Sequence, residues 1–575
     1  MTPTRSPSFL HYALALSVTG LVALLVLIHH PPPRPKPVDC EAKQFSAERA
    51  RADIASLTAF GPRPVGLNGQ PHPEAHRQAR DFVMQRLRDL GLSPELQIGP
   101  SCLRDRCAQV ENIIARRAAA GLADQREPLV LLSHYDSVAR GPGAGDAASG
   151  VATILEVLRA LEVQAIWQRP LVVVLDDGEE AGLLGARLLP SHRWLSRVAA
   201  VLNHEARGTG GQTAMFEASR HSTWLVEAYA TSVERPMAAS AIYPLYKLLP
   251  NDTDLTVLQA AGWRGLNFAF AERAHQYHTA QDSLEFLDLG SVQHMGDQSL
   301  GTARAVLARS TLPSDDRDGV WFELFTRHLV LYRTETAAGL AIVQATLWLL
   351  AIGLLIQRQR GQALRLLLLG IGRFVLVILV AAVVGLVVSK LIASLSGGSR
   401  PWLSQPLPTW LALSTLTVAV TSLFQLLACR LSPPSSLDTL WGQSLGTLLP
   451  WTLASLLCSL KQTDASYLFT LPALVASLAI FVGMLRVRSE EQTTPALALA
   501  MLMMTATTII WLPMIRVLFV LAGANLHFAV TIPWAVLISL ADPLHRLFPM
   551  RLRVLMPIAL SMLGGTAIAV AVLGR

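Results

Sequence analysis

Short apolar runs alternating with segments of helical period fill residues 40–310, and almost continuous apolar runs fill the chain beyond about 335. Four of the short runs cover residues 128–132, 171–175, 199–202 and 265–270, and the first three carry no polar residue. Runs of this length, alternating with helix, predict strands buried on both faces of a parallel sheet. The predicted fold class is therefore α/β: a mixed, mostly parallel sheet sandwiched by helices, followed by a polytopic α-helical membrane domain. Each run leads into groups that bind metal or move protons: Ser133-His134-Tyr135-Asp136, Asp176-Asp177-Gly178-Glu179-Glu180, Asn203-His204-Glu205, and a loop with Tyr277-His278-Thr279. Open α/β sheets hold their chemistry beyond the carboxyl ends of such strands, so these groups are expected at one edge.

The long apolar runs set the topology. Residues 9–28 are long and apolar enough to cross a bilayer. Arg5 ahead of them also suits a cleaved signal peptide. The flanking His29-His30-Pro31-Pro32-Pro33 lacks a small-residue cleavage site, however, which favours an uncleaved anchor. The expected order is a cytoplasmic N-terminus (1–8), an anchor (9–30), a stiff Pro-rich tether (31–39), an extracytoplasmic domain (40–310), a linker (311–337) and a membrane domain (338–575). The last breaks into about eight spans: 338–356, 366–389, 409–428, 444–460, 467–485, 496–513, 517–540 and 554–573. Every second loop is basic (Arg358, Arg360 and Arg365; Arg430; Arg486 and Arg488; Arg546, Arg551 and Arg553), which puts those loops in the cytoplasm and the 40–310 domain on the other side. Abundant Ala, Leu and Arg with few Lys and Asn favour a bacterial inner membrane facing the periplasm; an organelle lumen is the alternative.

Composition agrees. Over 575 residues, 51% are hydrophobic and 15% charged, with a mean hydropathy of +0.40, against about 25% charged in a soluble domain. The net charge of +7 sits largely in short gaps between spans and forms no recognition motif, so no nucleic-acid partner is expected. Cys102 and Cys107 could close a small loop in an oxidising compartment, and they lack the partners of a structural zinc site. Arg373 and Lys390 are the main ionisable residues within the spans, and no acidic relay of a proton-coupled transporter is present among them.

A pair of zinc ions needs His and carboxylate ligands, one bridging carboxylate, and a free carboxylate as base. His134 follows the first strand, and Asp136 two residues on is placed to fix its tautomer from behind. Asp146 lies in a Gly-rich turn (143–150) just before a helix expected over 147–161, where it is the natural bridge. Glu179 and Glu180 diverge on extended backbone, so one can bind metal while the other faces water. Glu205 ends the third strand and His278 follows the fourth. Each feature alone reads equally as a cap, a solvated face or a turn. Their joint occurrence at strand ends carries the inference.

Taken together, His134-x-Asp136, Asp146, Glu179-Glu180, Glu205 and Tyr277-His278-Thr279-x-x-Asp282 resemble the di-zinc aminopeptidase family, with bacterial leucyl aminopeptidases as members and glutamate carboxypeptidase and glutaminyl cyclase as relatives. The resemblance covers roughly residues 50–305. Residues 205–211, the anchor and the polytopic half resemble its membrane-bound branch, that of the endoplasmic reticulum metallopeptidase and the vacuolar membrane protease. It implies a zinc exopeptidase-like fold and two Zn2+ ions, one on His134 and Glu205, the other on Glu180 and His278, with Asp146 shared. It implies Glu179 as general base, with Asp136, behind the His134 ring, counted beside it as catalytic, and Tyr277 a weaker candidate for contacting the tetrahedral intermediate. The implied activity is removal of N-terminal residues from peptide substrates by a protein held in a lipid bilayer. Single-zinc glutaminyl cyclisation and an inactive binding or transport-associated protein are the alternatives. Two positions depart from soluble members: Glu205 stands where many have Asp, and of a Ser-Asp-His motif near Asn251-Asp252-Thr253 only Asp252 matches.

Overall fold

The computed structural model describes residues 31–163, 167–249, 251–313, 317–325, 327–396, 402, 406–431, 436–486, 493–522, 528–540 and 550–573. The anchor expected over residues 9–30 lies outside them. The chain divides into two compact units, His30–Leu331 and one containing Tyr332–Arg575.

The first unit is built on a seven-stranded sheet of β1 (Glu95–Leu103), β2 (Arg106–Arg117), β3 (Leu129–His134), β4 (Leu171–Asp176), β5 (Ala200–Ala206), β6 (Ala214–Ala218) and β7 (Gly265–Phe270), in the order β1-β2-β4-β3-β5-β7-β6. The central β4, β3, β5 and β7 are mutually parallel, and β2, β1 and β6 join antiparallel at the flanks. The parallel strands are the four apolar runs, and every residue of β3, β4 and β5 is buried. Side chains alternate between faces. Leu129, Leu131, Val173, Leu175 and Leu202 pack on one side with α1 (Ala47–Ala59), α3 (Gly150–Leu161) and α8 (Leu289–Leu307). Val130, Leu132, Val172, Val174 and Val201 pack on the other with Leu255 and Leu258 of α7 (Asp254–Ala260). The remaining helices of this unit are α2 (Glu74–Asp89), α4 (Leu184–Leu188), α5 (Thr223–Ser232) and α6 (Ile242–Tyr246). Burying each such side chain contributes roughly 1.5–3 kcal/mol, which is why the polar residues of β3 and β4 are confined to their carboxyl ends.

The β3/β4 register aligns His134 with Asp176, so both strands end at the same edge. A Cβ on Gly150 would lie 2.3 Å from Ser133 Oγ and 2.9 Å from the His204 carbonyl, so only glycine lets α3 start this close to the sheet. Cys102 and Cys107 are cross-strand partners in the β1–β2 hairpin and form a disulfide. The Pro-rich segment from residue 31 docks on α8: the Lys36 N–H donates to Gln293 Oε1 at 2.8 Å, and its Nζ pairs with Asp297 at 2.9 Å. The stretch expected as a linker carries instead a two-stranded sheet of β8 (Gly319–Leu324) and β9 (His328–Arg333). Trp321 and Phe322, both buried, make it part of the first unit's packing, with Ser240 N–H donating to the Trp321 carbonyl at 2.8 Å.

The second unit is helical, over Thr334–Arg358, Ala363–Leu395, Pro406–Leu431, Leu437–Lys461, Ser466–Arg486, Thr493–Ala522, Phe528–Leu540 and Met550–Leu573. Among the described residues, five helices are long and apolar enough to cross a membrane. The expected break near 513–517 is absent: the helix runs through Pro513 and Arg516 to Ala522. Proline costs less in a helix packed among apolar neighbours, where surrounding groups satisfy the freed carbonyl, so it is a poor boundary marker here.

Candidate metal centre

His134 ends β3 and is fully buried, and the loop carrying Asp146 comes within hydrogen-bond distance of its ring. Asp146 Oδ1 lies 3.1 Å from His134 Nε2, and its Oδ2 lies 3.1 Å from His278 Nε2. One carboxylate thus faces both histidines, one oxygen each. Glu205 Oε2 lies 3.7 Å from His134 Nε2, and Glu180 Oε2 lies 3.0 Å from His278 Nε2. The seven residues predicted from the sequence gather at this edge: His134, Asp146 and Glu205 form one trio, Asp146, Glu180 and His278 another, and Asp136 and Glu179 adjoin them.

Backbone and side-chain partners aim each group. Asp136 Oδ1 lies 3.3 Å from His134 Nδ1, and its two oxygens accept the N–H groups of Glu179 at 3.2 Å and Glu180 at 3.3 Å. Asn203 Nδ2 donates to Glu205 Oε1 at 3.1 Å, which leaves Oε2 facing His134. Asp282 accepts the N–H groups of Gly145 at 2.6 Å and Asp146 at 3.2 Å. Arg63, fully buried, donates to the carbonyls of Tyr135, Leu57, Gly61, Pro142 and Gly143 and so ties the loop before Asp146 to β3. His278 adopts φ of +59°, which turns its ring off the Tyr277–Thr279 loop towards Asp146.

Asp136, Asp146, Glu179, Glu180 and Glu205 surround two histidines, and the electrostatics register the excess of negative charge. Burial pushes Asp146 up, but hydrogen bonds from His134 and His278 outweigh it and hold the carboxyl well below its ordinary range. Burial, and the charges of Glu205, Asp254 and Glu180 set against His134, raise Glu179 far above the ordinary glutamate value. Glu180 is raised by burial and by Asp146. Burial lowers His278, but hydrogen bonds from its ring to the carboxylates of Asp146 and Glu180 raise it on balance.

These residues fit metal ions. Zinc–ligand bonds of about 2.0–2.1 Å in a tetrahedral site put ligand atoms roughly 3.3 Å apart; the histidine–carboxylate separations run from 3.0 to 3.7 Å, and all ligand atoms of each trio lie within 4.8 Å of one another. Glu180 Oε1 is buried with no hydrogen-bond partner among the described residues, an acceptor that a cation would satisfy.

Several contributors carry no strong sequence signal. Asp282 sits in the quoted motif without an assigned role, and Arg63 and Asp254 lie far from it in sequence. Asp252, singled out by its motif match, is exposed and pairs with Lys247 at 3.3 Å, while Asp254 two residues on is fully buried. Burial and the neighbouring Glu205 push Asp254 up to about 8, and burial with the charge of Asp254 raises Asp176. Asn203 was within reach of the sequence: two residues before Glu205 on a strand, it lies on the same face. Tyr277 is largely buried against the cluster, its hydroxyl pKa raised by burial and then by Asp146.

Residues 112–303 match Peptidase family M28. Endoplasmic reticulum metallopeptidase 1 of Mus musculus is 27% identical over 426 residues, covering 70% of this chain and 47% of the relative. Vacuolar membrane protease of Botryotinia fuckeliana is 31% identical over 247 residues, covering 40% of this chain and 23% of the relative. This chain therefore spans half or less of the length of these relatives. Among solved structures, a zinc aminopeptidase from Bacillus subtilis is 16% identical, with a TM-score of 0.37, covering 48% of this chain and 99% of that one.

Proposed function

We propose that this protein, whose residues 112–303 match Peptidase family M28, is a membrane-anchored, zinc-dependent exopeptidase, an aminopeptidase that hydrolyses the N-terminal peptide bond of peptides. The observation that carries this reading is Asp146, with Oδ1 at 3.1 Å from His134 and Oδ2 at 3.1 Å from His278. A carboxylate shared in this way supports two Zn2+ ions, one on His134, Asp146 and Glu205, the other on Asp146, Glu180 and His278.

When bound, zinc acts as a Lewis acid on the substrate carbonyl and lowers the pKa of water to about 7. Glu179 is the proton carrier in this scheme: its carboxylate accepts a proton from the attacking water and returns it to the leaving amine. Asp136 is a positioning residue, holding the His134 ring through Nδ1 and the Glu179 and Glu180 backbone through its two acceptors. The metal and the proton carrier are then oriented by one side chain.

The Cys102–Cys107 disulfide supports an oxidising compartment for this domain. We place it outside the cytoplasm, on the periplasmic face of a bacterial inner membrane, with the apolar helices of the second unit crossing the bilayer.

The test is metal analysis of the purified protein together with cleavage of amino-acyl anilides and of a peptide with N-terminal glutamine, each with and without a chelator. Close to two zincs per chain and chelator-sensitive release of N-terminal residues support the reading. Cleavage that survives the chelator would sink it, and cyclisation without cleavage would move it to the cyclase reaction.

A further inference from the structure

The edge of the sheet opposite the metal centre carries a second built feature. Before β3, β4 and β5 begin, the chain encloses an open cleft of about 580 Å³. Five arginines line it, Arg116, Arg126, Arg169, Arg193 and Arg197, with Glu127 as the acidic lining residue. Strands six residues long separate it from the metal centre by roughly 20 Å.

Three of these arginines have carboxylate partners: Arg116 pairs with Asp124 at 2.6 Å, Arg197 with Glu127 at 2.7 Å, and Arg193 with Glu95. Arg126 and Arg169 are held differently. Arg126 Nη1 donates to the Gln168 carbonyl at 2.6 Å and to its Oε1 at 2.9 Å. Arg169 Nη1 and Nη2 donate to the carbonyls of Glu127 and Arg309, each at 3.0 Å. Arg169 is only 2% exposed, and its Nε–H is buried with no acceptor among the described residues. Burial, and the charges of Arg126 and Arg309 against Glu127, all act on this guanidinium, with the net effect of disfavouring its charge.

An arginine cannot relieve such strain by losing its proton as a lysine would. Arg126 and Arg169, the lining arginines with no carboxylate ion pair among the described residues, stand at the wall of an open cleft and call for an external anion. Their planar donor forks match oxyanions that accept two hydrogen bonds at once. The cleft is wide enough for more than one tetrahedral group, and its excess positive charge favours a multiply charged ligand.

We propose that this cleft binds a multiply charged phosphate anion between Arg126 and Arg169. Free phosphate compounds and the phosphomonoester headgroup of a lipid such as phosphatidate present the same chemistry, and they are told apart by experiment.

Inorganic pyrophosphate is titrated calorimetrically into the full chain in detergent, at ionic strength held constant with sodium chloride. Saturable binding is expected, weakened roughly tenfold or more in Arg126→Gln, the loss of one charge-assisted contact. Arg126 makes only amide and carbonyl contacts to Gln168, so this variant keeps its fold, to be checked by an unchanged melting temperature. Arg169→Gln is the second variant, judged only if it too melts as the parent does. Binding that both proteins share equally would mark pyrophosphate held at the metal centre and would overturn the proposal, as would the absence of saturable binding. In nanodiscs, a loss of pyrophosphate affinity when phosphatidate is added to phosphatidylcholine identifies the headgroup as ligand, and unchanged affinity identifies soluble phosphate. Neither readout depends on peptidase activity, so this proposal stands or falls apart from the proposed function.

Discussion

Asp282 Oδ2 accepts the backbone N–H of Asp146 at 3.2 Å, a contact between residues 136 positions apart in the chain. It fixes the backbone of the shared ligand from the side away from the histidines, so both Asp146 side-chain oxygens stay free to face His134 and His278. Charge would drive these two carboxylates apart, and burial with Asp146 raises Asp282 to about 7. The N–H groups of Gly145 and Asp146 oppose that repulsion and keep the pair together.

Replacing Glu179 by Gln removes the proton carrier while leaving the metal ligands in place. Turnover should fall about 10²–10⁴-fold or more, the usual contribution of a positioned general base. The zinc content should match the parent. Near-parental kcat in Glu179→Gln, measured on an amino-acyl anilide, would show that Glu179 is not the base.

Asp146 serves both trios, whereas His134 serves one. Asp146→Ala should therefore reduce the metal-to-protein ratio at both sites, and His134→Ala mainly at one. Equal losses in the two variants, by elemental analysis after dialysis, would argue against a shared carboxylate.

Asp136→Asn keeps the shape behind His134 but weakens the acceptor for two backbone N–H groups and the imidazole. Metal affinity should drop by roughly 10–100-fold, as for other partners that orient a metal-bound histidine. A competition titration with a chromogenic zinc chelator measures it. Excess zinc should restore much of the activity, which separates positioning from chemistry.

His294 provides a pH readout away from the metal centre. Its Nδ1 accepts the Thr213 N–H at 3.2 Å and its Nε2 faces the Arg235 carbonyl at 2.8 Å, so the neutral ring is satisfied at both nitrogens. Burial lowers its pKa to about 4 from the ordinary 6.5. Between those values the unfolded chain binds the proton and the folded chain does not. Stability therefore rises with pH across this window and is lost as pH falls from 6.5 towards 4. The full contribution is about 3 kcal/mol, since each tenfold change in proton affinity is worth about 1.4 kcal/mol. His294→Gln should flatten the slope of denaturant midpoint against pH in that range. An unchanged slope would mean that His294 does not carry it.

How much of this was legible beforehand depends on whether local chemistry or distant contact decides a residue's role. His134, Glu180 and Glu205 could be read because each lies within a few residues of the end of an apolar run, and a buried parallel sheet delivers such strand ends to one edge. Asp254 could not, since its neighbour Asp252 offers the same side chain and only the burial of α7 against the sheet separates them. Arg63 likewise reads as a surface cation until five carbonyls converge on it.

By itself the sequence determined the class of sheet, the presence of a strongly apolar helical half and the ligand types gathered at the strand ends. Those follow from periodicity and composition, which are local properties of the chain. Only the tertiary structure decided that one oxygen of Asp146 faces each histidine, that Asn203 turns Glu205 towards His134, and that the helix at Pro513 continues to Ala522. Those outcomes depend on which distant groups satisfy a given carboxylate, amide or carbonyl, and no local pattern encodes that pairing.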